Sequence, residues 1–132
     1  MVKIGIVGCG TIGTGLARAV ESGHIPAVLS GLNNRTRAKA DALARTLSPS
    51  PPVLDLPDLV RASTLVVEAA TRESLVEIVP MCLREGKDVF VISVGGLLDH
   101  PEWFCEAEDR GCTILLPSGA VAGLDGVRGA AV

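Results

Sequence analysis

The sequence predicts an α/β fold of the Rossmann type, in which helices cover both faces of a mainly parallel sheet of about six strands. Short apolar runs alternate with helical patterns along the chain, which is typical of βαβ units. The first run leads into a Gly-x-Gly-x-x-Gly turn at residues 8–13, and a helical pattern follows it. The 132 residues are 48% hydrophobic and 2% aromatic, a composition that suits strands buried on both faces.

Two strand–helix pairs are predicted in the first part of the chain. The apolar runs place the strands at Lys3–Val7 and Ala27–Leu32. The first helix runs from near Ile12 to Ser22, where Gly23 is positioned to cap it. The second helix covers Thr36–Leu47, because apolar residues recur there at helical spacing, namely Ala40, Leu43, Ala44 and Leu47. The proline-rich segment 48–52 then ends regular structure.

The second part of the chain predicts three more strands and three helices. The strands are expected at Thr64–Glu68, Asp88–Ser93 and Thr113–Leu116. The helices are expected at Asp55–Ala62, with its start at Pro57, from the N-cap Thr71 to Glu85, and from Pro101 to Gly111. Pro80 removes one backbone hydrogen bond from the middle helix, so a kink or break is expected there.

The last residues predict one more helix, which is apolar and ends without a polar tail or a stop signal. We therefore expect residues 1–118 to form the dinucleotide-binding domain, and residues 119–132 to begin a linker helix toward an absent second domain. On this interpretation the chain is truncated, binds nucleotide and does not catalyse a reaction by itself.

The glycine turn predicts a site for the diphosphate of a dinucleotide. Gly8 permits the tight turn, Gly10 lets the backbone approach the diphosphate, and Gly13 lets the helix pack closely on the strand. The helix N-terminus adds unpaired N–H groups and a partial positive charge. The cofactor contacts expected here are Gly8, Gly10, Thr11, Ile12 and Gly13. The alternative is a glycine-rich turn that binds no ligand.

The residues after the second strand bear on the choice between NAD and NADP. NAD-binding domains carry an acidic residue there, which holds the ribose 2′-hydroxyl. This chain has Asn34, Arg35 and Thr36 instead, and Arg35 would pair with a 2′-phosphate. We therefore predict that NADP is slightly favoured over NAD. In the alternative interpretation the arginines are surface charges, and Arg37, Asp41 and Arg45 pair along one helix face.

Three later strands end in small residues that leave room for the nicotinamide side of the cofactor. Ligands of open α/β sheets bind at the carboxyl ends of the strands. The cofactor contacts predicted at these ends are Ala69, Ala70, Ser93, Val94, Gly95, Ser118 and Ala120. Each end has the alternative of being a structural turn only.

No residue of the chain is assigned a catalytic or metal-binding role. Neither His24, His100 nor Asp125 has a context that predicts proton transfer. No two of the four cysteines form a Cys-x-x-Cys pair, and no histidine pair lies at zinc-ligand spacing. We therefore expect reduced thiols and a cytoplasmic location. A net charge of −3 argues against nonspecific nucleic-acid binding, and no apolar run is long enough for a membrane span.

Four segments of the chain resemble L-aspartate dehydrogenases, and they occur in that family's order. The segments are 8–13 (GCGTIG), 65–70 (LVVEAA), 91–97 (VISVGGL) and 116–125 (LPSGAVAGLD). The first is common to dinucleotide-binding domains, whereas the last two are much more specific. The resemblance covers nearly the whole chain.

The resemblance implies oxidative deamination of L-aspartate to iminoaspartate, with NAD or NADP as the hydride acceptor. It also implies a second α/β domain that holds the substrate-binding and catalytic residues, including a histidine. We further expect a homo-oligomer. Two alternatives stay open, which are the nucleotide domain of a homoserine-dehydrogenase-like enzyme and a non-catalytic regulatory module that senses NAD(P).

Overall fold

The computed structural model describes residues 1–117, which form one parallel sheet with helices on both faces. The strands are β1 (Val2–Val7), β2 (Ala27–Asn33), β3 (Leu65–Glu68), β4 (Asp88–Val91) and β5 (Ile114–Leu115). Their order across the sheet is β2-β1-β3-β4-β5, and every neighbouring pair is parallel. The predicted fold class is therefore confirmed.

Five α-helices and two short 3₁₀ turns connect the strands. The helices are α1 (Thr11–Glu21), α2 (Arg37–Thr46), α3 (Leu56–Ala62), α4 (Leu75–Arg84) and α5 (Glu102–Arg110). The 3₁₀ turns cover Arg72–Ser74, before α4, and Val94–Asp99, before α5. The left-handed Gly111 (φ +68°) ends α5, as its sequence position predicts.

The core consists of two apolar layers, one on each face of the sheet. On one face Ile4 and Ile6 of β1 pack with α1 and α2. All four residues predicted for the buried stripe of α2 lie in this layer, with Leu47 directly after the last residue of the helix. On the other face Val7 and Val66 pack with α3, α4 and α5. Neighbouring residues of β3 point to opposite layers, since Val66 belongs to one and Val67 to the other. This alternation accounts for the double winding.

The described residues form five strands where the sequence predicted about six, and all five strands that it placed by residue range are present. Beyond the edge strand β2 there is a single parallel bridge, between Leu32 and Val53. The segment before this bridge is Pro51-Pro52, and proline has no N–H to donate to a ladder. Backbone pairing outside β2 thus consists of two hydrogen bonds, in which the Leu32 N–H donates to the Pro52 carbonyl and the Leu54 N–H donates to the Leu32 carbonyl.

Of the kink or break expected at Pro80 the break does not occur, and Pro101 lies one position earlier in its helix than expected. Pro80 does not break its helix, because α4 runs without interruption from Leu75 to Arg84. The hydrogen bond that Pro80 cannot make would go to Val76, which is 58% exposed in the first turn, so water can satisfy that carbonyl. Pro101 precedes the first residue of α5 and occupies its N-cap position instead.

Candidate functional site

The turn after β1 is shaped by Gly8, which has a backbone conformation that side chains rarely adopt. Its φ is +103°, and a Cβ there would lie 2.4 Å from the carbonyl oxygen of Ala69. The Gly8 N–H donates to the Asn33 carbonyl at 2.8 Å, while the Ala69 N–H donates to the Val7 carbonyl at 2.8 Å. The ends of β1, β2 and β3 are thus tied together around one glycine.

Gly13 and Gly10 differ in what surrounds them. A Cβ at Gly13 would lie 1.8 Å from the Gly8 carbonyl oxygen, so α1 can approach the turn only because this residue is glycine. A Cβ at Gly10 would meet nothing within 4 Å, so it would point into open space in front of the helix. Close packing therefore requires glycine at residue 13, whereas no contact within the described protein requires glycine at residue 10.

The N-terminus of α1 faces that open space without a side chain that would satisfy it. Gly10 is its N-cap and provides no side-chain hydrogen bond, and the first turn contains no acidic residue. The first N–H groups of a helix have no partner within the helix, and the helix dipole is positive at this end. Residues Thr11, Ile12 and Gly13, all predicted as cofactor contacts, therefore form an environment that fits a diphosphate.

The loop after β2 braces the glycine turn. Asn34 accepts a hydrogen bond from the Cys9 N–H at 2.9 Å and donates one to the Thr36 carbonyl at 2.9 Å. The Asn34 amide thus holds two loops together, a role that its position in the sequence did not predict. Burial raises the pKa of the Cys9 thiol, which lies beside this contact.

Arg35 in this loop and Arg37 at the start of α2 have different surroundings. The Arg37 guanidinium reaches Asp55 at 3.5 Å and the Val53 carbonyl at 3.0 Å, and the pairing with Asp41 that the alternative interpretation assumed is absent from residues 1–117. Arg35 is exposed, and within the described range no carboxylate lies at ion-pairing distance from it. Arg35 is therefore the cation of this loop that is available to a ligand.

A groove of about 610 Å³ runs along the carboxyl ends of β1, β2 and β3. Of the predicted cofactor contacts, Asn34, Arg35 and Ala70 line it. The N-terminal ends of α3 and α4 form the opposite wall, which includes the carboxylates Asp55, Glu73 and Glu77. The groove lies where the strand order reverses, between β1 and β3, which is the usual place of a ligand in such sheets.

Glu68 is a site residue that sequence reasoning missed. It is the last residue of β3 and is completely buried. Its Oε1 accepts hydrogen bonds from the Ala70 N–H at 2.9 Å and the Ser93 hydroxyl at 2.8 Å. Its Oε2 accepts from the N–H groups of Ile92 at 3.1 Å and Ser93 at 2.9 Å. The only signal in the sequence is an acidic residue at the end of an apolar run.

The residues that follow β4 take part in these contacts with Glu68. Both polar groups of Ser93 donate to Glu68, whereas Gly95 is exposed with open space where a Cβ would be. The Arg72–Asp99 ion pair connects the 3₁₀ turns that follow β3 and β4. Val94 begins the second of these turns. The remaining predicted contacts, Ser118 and Ala120, lie outside the described residues, as does Asp125.

Both histidines have partners away from the groove. His24 is exposed and shares a 2.6 Å hydrogen bond with Ser22. His100 stacks on Trp103 with 4.1 Å between the ring centroids, and its Nδ1 lies 3.0 Å from Glu102.

Residues 1–117 hold no group of three or more side chains placed to bind a metal ion together. No helix within that range is both long and apolar enough to cross a membrane.

The comparison of sequences gives a family for most of the chain. Residues 8–117 match the family described as homoserine dehydrogenase, NAD binding domain. The L-aspartate dehydrogenase of Methanocella arvoryzae is 41% identical over 100% of this chain and 50% of its own length. The L-aspartate dehydrogenase of Nitrosopumilus maritimus is 32% identical over 97% of this chain and 49% of its own. The chain thus spans about half the length of these curated relatives.

Solved structures show the same fold at low sequence identity. A UDP-N-acetylglucosamine 3-dehydrogenase from Acidithiobacillus ferrooxidans superposes with a TM-score of 0.76 at 14% identity, covering 87% of this chain and 38% of that one. A homoserine dehydrogenase from Thiobacillus denitrificans gives 0.73 at 22% identity, covering 87% and 29%. At such identities the likeness concerns the fold alone.

Proposed function

The chain belongs to the family of homoserine dehydrogenase NAD-binding domains, and we propose that it is the nucleotide-binding part of an L-aspartate dehydrogenase. Identity of 32–41% over nearly the whole chain to enzymes of that name supports the substrate. In the proposed reaction the Cα–H of L-aspartate leaves as hydride, the amine loses a proton, and iminoaspartate forms. Water then converts iminoaspartate to oxaloacetate and ammonia.

One observation carries the nucleotide-binding part of this proposal. The space in front of Gly10 is open, and the uncapped N-terminus of α1 points its N–H groups into it. A diphosphate supplies the negative charge and the acceptor oxygens that such a helix end lacks. When bound, NAD(P)+ supplies the hydride acceptor, while this chain holds and orients it.

Each predicted contact has a place in the proposed binding mode. Residues 8–13 hold the diphosphate, and Asn34, Arg35 and Thr36 lie at the ribose next to the adenine. The nicotinamide side lies over Ala69, Ala70, Ser93, Val94 and Gly95, with Ser118 and Ala120 added from the last segment. We propose residues 1–118 as the nucleotide-binding domain and residues 119–132 as the link to a substrate domain.

We propose that this domain accepts NADP at least as well as NAD. Arg35 supports the proposal, because it lies at the groove without a carboxylate partner in the described range. The acidic wall of the groove, with Asp55, Glu73 and Glu77, opposes it. A guanidinium that pairs with a phosphate forms charge-assisted hydrogen bonds to it. We therefore expect the attraction between Arg35 and the 2′-phosphate to exceed the repulsion from these exposed carboxylates.

The experiment is a titration of NADPH and NADH into the purified protein and its Arg35→Ala variant. We expect Arg35→Ala to weaken NADPH binding on the order of tenfold and to leave NADH binding nearly unchanged. Arg37→Ala is the matched control, because Arg37 is already engaged with Asp55 and Val53. A clear preference for NADH that Arg35→Ala leaves unaltered would contradict the NADP assignment.

An activity assay beside this titration separates the proposed enzyme from the alternatives. Formation of NAD(P)H by the full-length protein with L-aspartate, but not with L-homoserine, supports the aspartate dehydrogenase. Nucleotide binding without turnover of either substrate by the full-length protein favours the regulatory module.

We also propose a homo-oligomer, and light scattering of the purified protein measures its mass. All four cysteines are free, which supports the proposed cytoplasmic location.

A further inference from the structure

Glu68 is the only fully buried charged residue within residues 1–117, and no cation of that range lies at ion-pairing distance from it. Its two oxygens accept four hydrogen bonds, three from backbone N–H groups and one from a hydroxyl. An ionised carboxylate is an acceptor only, so this set of donors matches its charged form. Within residues 1–117 the negative charge is therefore balanced by dipoles alone.

The donors come from the exits of two neighbouring strands. Ala70 follows β3, whereas Ile92 and Ser93 follow β4. Through Ala69, the exit of β3 also contacts the glycine turn after β1, because the Ala69 carbonyl lies against Gly8. Glu68 thus fixes the position of the loops on one side of the diphosphate site.

The strand order says which end of the nucleotide lies over these loops. This step rests on the proposed function. With the diphosphate at the start of α1 and the adenine-side ribose at Arg35, after β2, the rest of the molecule extends the other way, across β3 and β4. Successive strands are about 4.8 Å apart, so the nicotinamide side lies over the loops that Glu68 holds.

We propose that Glu68 positions the nicotinamide side of the site and that its charge makes this site bind the oxidised nucleotide more tightly than the reduced one. The nicotinamide ring carries a positive charge when oxidised and none when reduced. A buried carboxylate attracts only the charged form, and the attraction is stronger away from bulk water. The nearby Arg72–Asp99 pair does not cancel this field, since its own two charges offset each other.

The experiment measures the dissociation constants of NADP+ and NADPH, and of NAD+ and NADH, by calorimetric titration of the purified protein. We expect Glu68→Gln to weaken binding of the oxidised form roughly fivefold to tenfold more than binding of the reduced form. Glu68→Asp is the matched control, because it keeps the charge and shortens the side chain by one methylene. For Glu68→Asp the ratio of the two constants should stay within about twofold of the original.

Equal weakening of both forms by Glu68→Gln would show that Glu68 only holds the loops, and it would overturn the proposal. A wild-type protein that binds neither form would instead contradict the proposed function itself. Circular dichroism checks that each variant folds. Should Glu68→Gln not fold, Glu68→Ala takes its place, because it removes the charge without placing an amide NH2 group against these donors. Should neither neutral variant fold, the wild-type constants decide, because tighter binding of the reduced form than of the oxidised form would overturn the proposal.

Discussion

Gly8, Gly10 and Gly13 occupy one turn, yet only two of them have backbone atoms where a Cβ would lie. At Gly8 and Gly13 it would collide with backbone carbonyl groups at 2.4 and 1.8 Å, and at Gly10 it would enter open space. The motif predicts all three glycines, but the sequence does not say which of them serve the fold. Gly13 serves packing, whereas Gly10 has a purpose only if a ligand approaches.

This difference predicts opposite results for two substitutions in the turn. Gly10→Val should abolish nucleotide binding with little loss of stability, because the new side chain fills the space in front of α1. Gly13→Ala should destabilise the fold by about 2 kcal/mol or more, because its Cβ must displace the Gly8 carbonyl. Urea unfolding measures the stability, and NADPH fluorescence measures the binding. Normal binding by Gly10→Val would show that the diphosphate lies elsewhere.

At the scale of the elements, sequence patterns within one helix predicted its buried face and its end. The sequence did not indicate which distant segments pair with each other. The buried stripe of α2 and the left-handed Gly111 after α5 follow from residues close together in sequence. The parallel bridge between Leu32 and Val53 joins β2 to a segment 21 residues away, which follows the three prolines of residues 48–52. The sequence shows the prolines, but only the fold shows which strand they face.

The 3₁₀ turn before α4 has a capping box whose contribution is measurable. The Thr71 hydroxyl accepts from the Ser74 N–H, and the Ser74 hydroxyl accepts from the Thr71 N–H, both at 3.3 Å. Thr71→Ala should lower the free energy of unfolding by about 0.5–1 kcal/mol, the low end for caps because both bonds are long. Thr71→Ser keeps the hydroxyl and should stay close to the original in urea unfolding. Equal losses in both variants would rule out the cap as the cause.

At the scale of the molecule, the order of strands brings together residues that the sequence separates. The double winding was predictable, because alternation of apolar runs and helical patterns is a property of the whole chain. The contacts of Glu68 were not predictable, since the Ile92 and Ser93 donors lie 24 and 25 residues further on. An acidic residue after an apolar run looks, in sequence alone, like the first residue of a loop.

The whole molecule also predicts that these 132 residues bind nucleotide without oxidising L-aspartate. The chain spans about half the length of the L-aspartate dehydrogenases it matches. Proton transfer needs a group within hydrogen-bond reach of the reacting atom, and both histidines are engaged with other residues away from the groove. If the residues that hold the substrate lie in the half that this chain does not span, as we propose, bound aspartate loses much of the proximity effect, which can reach roughly 7–11 kcal/mol.

The measurement is the L-aspartate-dependent formation of NADH and NADPH by the 132-residue chain, beside a titration that shows the nucleotide binds. We expect binding with no turnover above the rate without protein. The M. arvoryzae enzyme, 41% identical to this chain, is the positive control for the assay. Turnover by the chain that Gly10→Val abolishes would contradict this expectation, because the reaction would then depend on the diphosphate site and be complete within these residues.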